Sequence, residues 1–131
     1  MFVDASAIIA IIADESDRRS LSGRLAQASR IFVSPIVIYE STTGLARRRA
    51  CSIEDAEILV SAFVEETRAE MIEIGAATAR EAARAFARYG RGKHKADLNM
   101  GDCFAYACAR ERDLPLLFKG DDFVHTDISM A

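Results

Sequence analysis

Apolar residues along this chain occur in two alternating patterns, short continuous runs and longer segments with helical spacing. The short runs are typical of buried strands, and the recurrence of apolar positions every three or four residues predicts helices between them. The predicted strands are MFV at 1–3, IFV at 31–33, MIEI at 71–74 and LPLLF at 114–118; the predicted helices cover about 7–13, 17–29, 35–50, 52–68, 76–89 and 101–109.

The order of these elements predicts an α/β fold. Strands separated by helical segments indicate right-handed crossovers and a mostly parallel central sheet. The length of 131 residues suits one domain, residues 1–131, and the 50% hydrophobic content can supply its core. The segment VHTDI at 124–128 is expected to add a last edge strand. No internal repeat, low-complexity segment or linker interrupts the pattern.

Composition excludes several classes of protein. No stretch reaches the ~20 apolar residues that a membrane span needs, and Asp4 interrupts the first apolar run, so a cytoplasmic chain with no membrane contact is expected. A net charge of −3 argues against binding polyanions through bulk charge. The three cysteines have neither CxxC nor Cys/His metal spacing, and the two in the last helix are expected to be buried thiols.

Four acidic positions fall where the predicted elements end or begin. Asp4 follows the first strand, and Asp102 opens the last helix, where it could equally serve as a cap. Asp121 and Asp122 follow the last strand after Gly120, at the edge where open α/β sheets bind ligands. Glu40 shares the apolar stripe of the third helix, although an exposed helical glutamate is the more common case.

Clustered carboxylates predict a metal site. Such groups repel one another unless a cation neutralises them. Oxygen-only ligands suit Mg²⁺, with Mn²⁺ as a substitute, rather than Zn²⁺. No EF-hand loop, GxSxG elbow, Walker loop or GxGxxG motif is present. Asp4 and Asp102 are the predicted metal ligands, and Glu40 and Asp122 are predicted to complete the shell through water or to orient the attacking water.

Two basic segments are candidates for contact with a phosphate backbone. The loop GRGKHK carries Arg91, Lys93 and Lys95 beside the acidic helix start. The three arginines at 47–49 end the third helix, where they could instead be solvated residues favoured by the helix dipole.

The motifs MFVDASAII, SPIVIYE, LNMGDCFAYACA, PLLFKGDDF and TDI together resemble the PIN-domain ribonucleases, and more closely the VapC toxins of bacterial VapBC toxin–antitoxin pairs. The resemblance covers essentially the whole chain, and the spacing of the third and fourth motifs is its most specific part.

The resemblance implies an acidic catalytic site made of Asp4, Glu40, Asp102 and one aspartate of the KGDDF turn. Asp122 is favoured over Asp121 because it directly precedes the phenylalanine of the motif. Further candidate site residues are Ser6, which can also cap the first helix, Asn99, expected to shape the site through hydrogen bonds, and Asp121.

The family further implies a three-layer α/β/α sandwich, Mg²⁺-dependent cleavage of RNA, homodimerisation and inhibition by a VapB antitoxin. Helical faces rich in alanine and isoleucine near the site are expected to offer that antitoxin an apolar groove.

Two alternatives from other classes remain open at this point. A phospho-acceptor receiver domain is also a small parallel α/β unit with an acidic Mg²⁺ pocket, but MIEIG offers no acceptor aspartate at the end of the third strand. A non-catalytic binding module with a vestigial site is the other alternative, although every acid that the motif requires is present.

Overall fold

The computed structural model describes residues 1–131, and its elements follow the predicted alternation. The strands are β1 (Phe2–Val3), β2 (Phe32–Val33), β3 (Glu70–Met71) and β4 (Leu116–Leu117); the helices are α1 (Ala5–Ile12), α2 (Arg18–Gln27), α3 (Pro35–Arg49), α4 (Ile53–Thr67), α5 (Ala76–Tyr89) and α6 (Met100–Glu111), and a 3-10 helix spans Phe123–His125.

The four strands form one parallel sheet in the order β3-β2-β1-β4. The chain passes from β1 outward to β3 and then returns to the other side of β1, so the direction of winding reverses between β1 and β4. Right-handed crossovers therefore place α1–α4 on one face and α5–α6 on the other. The predicted three-layer α/β/α sandwich with a parallel sheet is confirmed. The reversal point lies at the carboxyl ends of β1 and β4, where such folds bind ligands.

The core lies on both faces of β1 and of its neighbour β4. Phe2, Val3, Leu116 and Leu117 are completely buried, which explains why these strands are apolar without alternation. Tyr106 of α6 is also buried against this cluster. Cys103 and Cys108 are buried free thiols, which confirms the expectation for the two cysteines of the last helix.

The prediction of a strand at VHTDI is wrong. Residues Phe123–His125 form a 3-10 helix, and Thr126 Oγ1 donates to Phe123 O while accepting from Ile128 N, which turns the chain. Only the last residues reach β4: Leu116 N donates to Ser129 O at 2.8 Å, and the carbonyl of Leu116 accepts from the amide of Ala131 at 3.0 Å.

Candidate active site

Asp4 lies at the carboxyl end of the central strand β1 and is only 3% exposed. Its Oδ2 accepts hydrogen bonds from the amide of Ser6 at 2.9 Å and the hydroxyl of Ser6 at 2.5 Å. Asp4, rather than Ser6, is therefore the N-cap of α1. Burial raises the pKa of Asp4, the two bonds from Ser6 oppose that shift, and the charge of Asp122 adds to it. A buried carboxylate with no basic partner is poised to accept a cation.

Ser6 connects the ends of β1 and β4. Its hydroxyl donates to Asp4 and accepts from the backbone amide of Lys119 at 3.0 Å. Asp4 N also donates to Leu117 O at 2.9 Å. These bonds fix the position of the Asp4 carboxylate relative to the start of the turn that carries Asp122.

Asp102 lies in the first turn of α6 and takes part in a reciprocal capping box, in which Asn99 is the N-cap. Its Oδ2 accepts from Asn99 N at 2.8 Å, and its own amide donates to Asn99 Oδ1 at 3.0 Å. Burial, with smaller contributions from the charges of Asp4 and Asp122, raises the pKa of Asp102 to about 6. Asp102 is thus both the second member of a capping box and a member of an acidic cluster.

Glu40 reaches the same cluster from the second turn of α3. Ser34 fixes the start of this helix by accepting from Val37 N at 3.3 Å, and Pro35 occupies the first helical position. Burial, together with the charges of Asp4 and Asp102, raises the pKa of Glu40 to about 7. Glu40 is half-buried, so it is neither an exposed helical glutamate nor a fully enclosed one.

The carboxylate of Glu40 lies directly against Gly101. A Cβ added to Gly101 would overlap both carboxylate oxygens of Glu40, far inside van der Waals contact. Glycine at position 101 therefore lets a side chain of α3 enter beside the first turn of α6. The sequence pattern did not reveal this role, and the only hint was the position of Gly101 directly before Asp102.

We expect Gly101→Ala to reduce RNA cleavage about 10- to 100-fold, because the methyl group would push the Glu40 carboxylate out of its place. Gly23→Ala is the matched control, since nothing lies within 4 Å of a Cβ at that helical position. Cleavage rates and melting curves of both variants check this expectation. An unchanged rate in a folded Gly101→Ala protein would show that the place of Glu40 does not matter.

Asp121 and Asp122 are both exposed, but they differ in what they influence. The charge of Asp122 is among the causes that raise the pKa of Asp4 and of Asp102, whereas Asp121 is not among the main causes for either group. Asp122 also leads directly into the 3-10 helix, whose Phe123 is 2% exposed and lies 5.0 Å from Phe118 between ring centroids. Of the two residues, Asp122 is the one next to the acidic cluster.

The three basic residues of the loop that were predicted to contact a phosphate backbone lie in different surroundings. The charge of Arg91 lowers the pKa of Asp102, so this guanidinium lies near the cluster, and its Nε is 3.5 Å from Asp97 Oδ2. Lys93 instead lies over the ring of Phe86, 4.7 Å from its centroid. Lys95 is exposed and forms no ion pair.

The acidic cluster consists of Asp4, Glu40, Asp102 and Asp122, and none of these four residues forms an ion pair with a basic side chain. Lys119, the lysine closest to Asp122 in the sequence, forms ion pairs with Glu15 and Asp17. No three histidine, cysteine or acidic side chains are grouped closely enough to hold a metal ion by themselves. Carboxylate oxygens are the ligands that Mg²⁺ prefers, and one or two of them with water in the remaining positions are enough to bind it.

The comparison with known families agrees with this fold. The family model described as PIN domain matches residues 1–129. The chain belongs to the PIN-domain family. A VapC ribonuclease of Rhizobium meliloti (strain 1021) is 40% identical over 97% of this chain and 98% of that protein. Ribonuclease VapC42 of Mycobacterium tuberculosis (strain H37Rv) is 39% identical over 100% of this chain and 98% of that protein.

Solved VapC and VapBC structures share the fold at low sequence identity. Mycobacterium tuberculosis VapC20, described as a sarcin-ricin loop cleaving toxin, superposes with a TM-score of 0.80 at 19% identity and covers 99% of this chain and 97% of its own. VapBC2 from Rickettsia felis, bound to a DNA fragment from its promoter, gives a TM-score of 0.73 at 14% identity, covering 99% and 96%.

Membership of the PIN family confirms the resemblance seen in the sequence motifs. The receiver-domain alternative is therefore wrong, in agreement with the absence of an acceptor aspartate after the third strand. None of the six helices is both long and apolar enough to span a bilayer.

Proposed function

We propose that this chain is the toxin of a VapBC-type module and that it hydrolyses RNA phosphodiester bonds at the acidic cluster. Its PIN-domain relatives at 39–40% identity are VapC ribonucleases, and VapC nucleases of this family depend on a metal ion. The observation that carries the proposal is the convergence of four carboxylates without a basic partner at the reversal point of the sheet. Mg²⁺ is the proposed ion, with Mn²⁺ as a substitute.

Each acid has a proposed role set by its surroundings. Asp4 and Asp102 would hold the ion, because they are the most enclosed of the four and the charge of Asp4 raises the pKa of Asp102. When bound, a divalent cation lowers the pKa of a coordinated water and polarises the phosphate. Glu40, with a pKa of about 7, is suited to accept a proton from the attacking water. Asp122 would orient water from the exposed side, and Arg91 would contact the RNA backbone.

The proposed inhibitor is a VapB-type antitoxin that lays an apolar segment near the site and places a basic side chain among the acids. An exposed apolar groove of about 290 Å³ lies between α5 and the start of α6, and is lined by Ala79, Ala82, Ala83, Phe86, Met100, Cys103 and Phe104. Its alanines fit the expected alanine-rich face, but it contains no isoleucine. Homodimerisation stays a prediction.

Incubation of the purified protein with total bacterial RNA and Mg²⁺ should create discrete new 5′ ends, which sequencing would map. Adding the cognate antitoxin in equimolar amount should suppress those ends, because it covers the acidic cluster. The absence of new ends with folded, Mg²⁺-loaded protein would contradict the proposed activity. An antitoxin that binds without reducing cleavage would contradict the proposed mode of inhibition.

A further inference from the structure

A second cleft opens directly beside Glu40 and is not explained by the acidic cluster. It has a volume of about 550 Å³ and lies between the outer face of α3 and the start of α4. Seven side chains line it: Tyr39, Glu40, Thr43, Ala46, Arg47, Cys51 and Ile53. Glu40 forms part of its wall, so the cleft adjoins the candidate active site at this residue.

The face of α3 that lines this cleft combines an aromatic ring with a free cation. Tyr39, Thr43 and Arg47 are spaced four residues apart and therefore lie in one row along the helix. Tyr39 is 67% exposed, and its hydroxyl makes no hydrogen bond within the protein. A rise of 1.5 Å per residue separates Tyr39 and Arg47 by ~12 Å along the helix axis.

Arg47 differs from its neighbour in having no acidic partner. The Nε of Arg48 donates to Glu15 Oε1 at 2.8 Å, so Arg48 serves to tie α3 to the end of α1. Arg47 forms no ion pair and lines the cleft. Arg49 also forms no ion pair, but it does not line the cleft. Arg47 is therefore the arginine whose charge is available to a ligand beside Glu40.

We propose that this cleft is a binding subsite for single-stranded RNA next to the scissile phosphate, with the ring of Tyr39 stacking on a base and the guanidinium of Arg47 contacting the backbone. This inference rests on the proposed ribonuclease function. An exposed aromatic platform together with a cation is the combination by which proteins bind single strands. A protein segment is the less favoured occupant, because the apolar groove between α5 and α6 suits it better.

Steady-state cleavage of total bacterial RNA by four variants tests the subsite. Tyr39→Ala should raise KM at least about fivefold, in line with the loss of one base–aromatic stack, while Tyr39→Phe should keep the wild-type KM. Arg47→Ala should also raise KM and should reduce the slope of log KM against log salt concentration by about 0.7, as expected for one lost phosphate contact on a single strand. Arg19→Ala, which removes an exposed arginine without an ion pair outside the cleft, is the matched charge control.

The results of these assays distinguish a failure of the RNA subsite from a failure of the proposed ribonuclease function. Wild-type cleavage with unchanged KM in Tyr39→Ala and Arg47→Ala would overturn the subsite and leave the ribonuclease activity standing. Absence of wild-type cleavage would overturn both. If the two variants kept their KM for RNA but escaped inhibition by the antitoxin, the cleft would be a protein-binding surface, and the RNA subsite would be wrong.

Discussion

Replacement of Asp102 by asparagine is expected to reduce RNA cleavage by more than about 100-fold while leaving the fold intact. Loss of groups that only support a metal ligand typically reduces activity about 10- to 100-fold, and Asp102 is a proposed direct ligand. Asparagine keeps a side-chain oxygen that can accept the hydrogen bond from Asn99 N, so the capping box should survive. Cleavage rates and melting curves measure the two effects separately.

The direction in which Asp102→Asn changes the stability of the metal-free protein follows from the raised pKa of Asp102. The folded value of about 6 lies above the ordinary value of 3.8, so ionisation of Asp102 destabilises the metal-free fold as pH rises from about 4 to about 6. At about pH 8 the metal-free Asp102→Asn protein should therefore melt no lower than wild type. Any gain in its melting temperature over wild type should vanish below about pH 4, where Asp102 is protonated in both the folded and the unfolded state. Asp102→Ala should be about 1 kcal/mol less stable than Asp102→Asn, because it removes the same charge and also the oxygen that accepts from Asn99 N. Retained cleavage with lowered stability in Asp102→Asn would mean that Asp102 is only a cap.

Asp122→Asn should lower cleavage about 10- to 100-fold, whereas Asp121→Asn should cleave at the wild-type rate. The two residues are adjacent, both exposed and of equal charge, so each is the control for the other. The charge of Asp122 contributes to the raised pKa values of Asp4 and Asp102, and this coupling supports a role for Asp122 beside the proposed ion. A loss of activity confined to Asp121→Asn would reverse the assignment of the fourth acid.

Local patterns were sufficient to predict the fold and the position of most acids. Asp4 could be placed because it directly follows an apolar run, and a residue at that position must lie at the carboxyl edge of a parallel sheet. Asp102 could be placed because it opens the apolar-periodic run of the last helix. Both inferences depend on residues a few positions apart, where spacing fixes geometry.

Contacts between distant segments could not be predicted in this way. The approach of Glu40 to Gly101 joins two helices that are adjacent only in the folded chain. The β-branched residues of VHTDI favour a strand, but side chains from other elements hold the C-terminal tail differently. Asp127 accepts from the Tyr106 hydroxyl at 2.6 Å and from Arg88 at 3.2 Å, which fixes the tail against α5 and α6.

The cleft beside Glu40 is a further feature that periodicity does not reveal. Tyr39 occupies an exposed helical position, and exposed aromatic residues at single positions are common in any sequence. Its place in a cleft depends on Ile53 at the start of α4 forming the opposite wall. The packing of α3 against α4 through Leu45 and Val60 sets the distance between the two walls of the cleft. This packing is a tertiary contact, which the spacing of residues within one helix does not reveal.

Metal dependence of RNA cleavage by the purified wild-type protein tests the central claim most directly. After exhaustive treatment with EDTA the protein should not cleave total bacterial RNA, and Mg²⁺ or Mn²⁺ should restore cleavage because the acidic cluster supplies only oxygen ligands. The same addition should raise the melting temperature of wild type, since the ion binds the folded state, and should raise that of Asp102→Asn much less. Full cleavage after exhaustive chelation, with no effect of Mg²⁺ on melting, would contradict a metal-dependent acidic site.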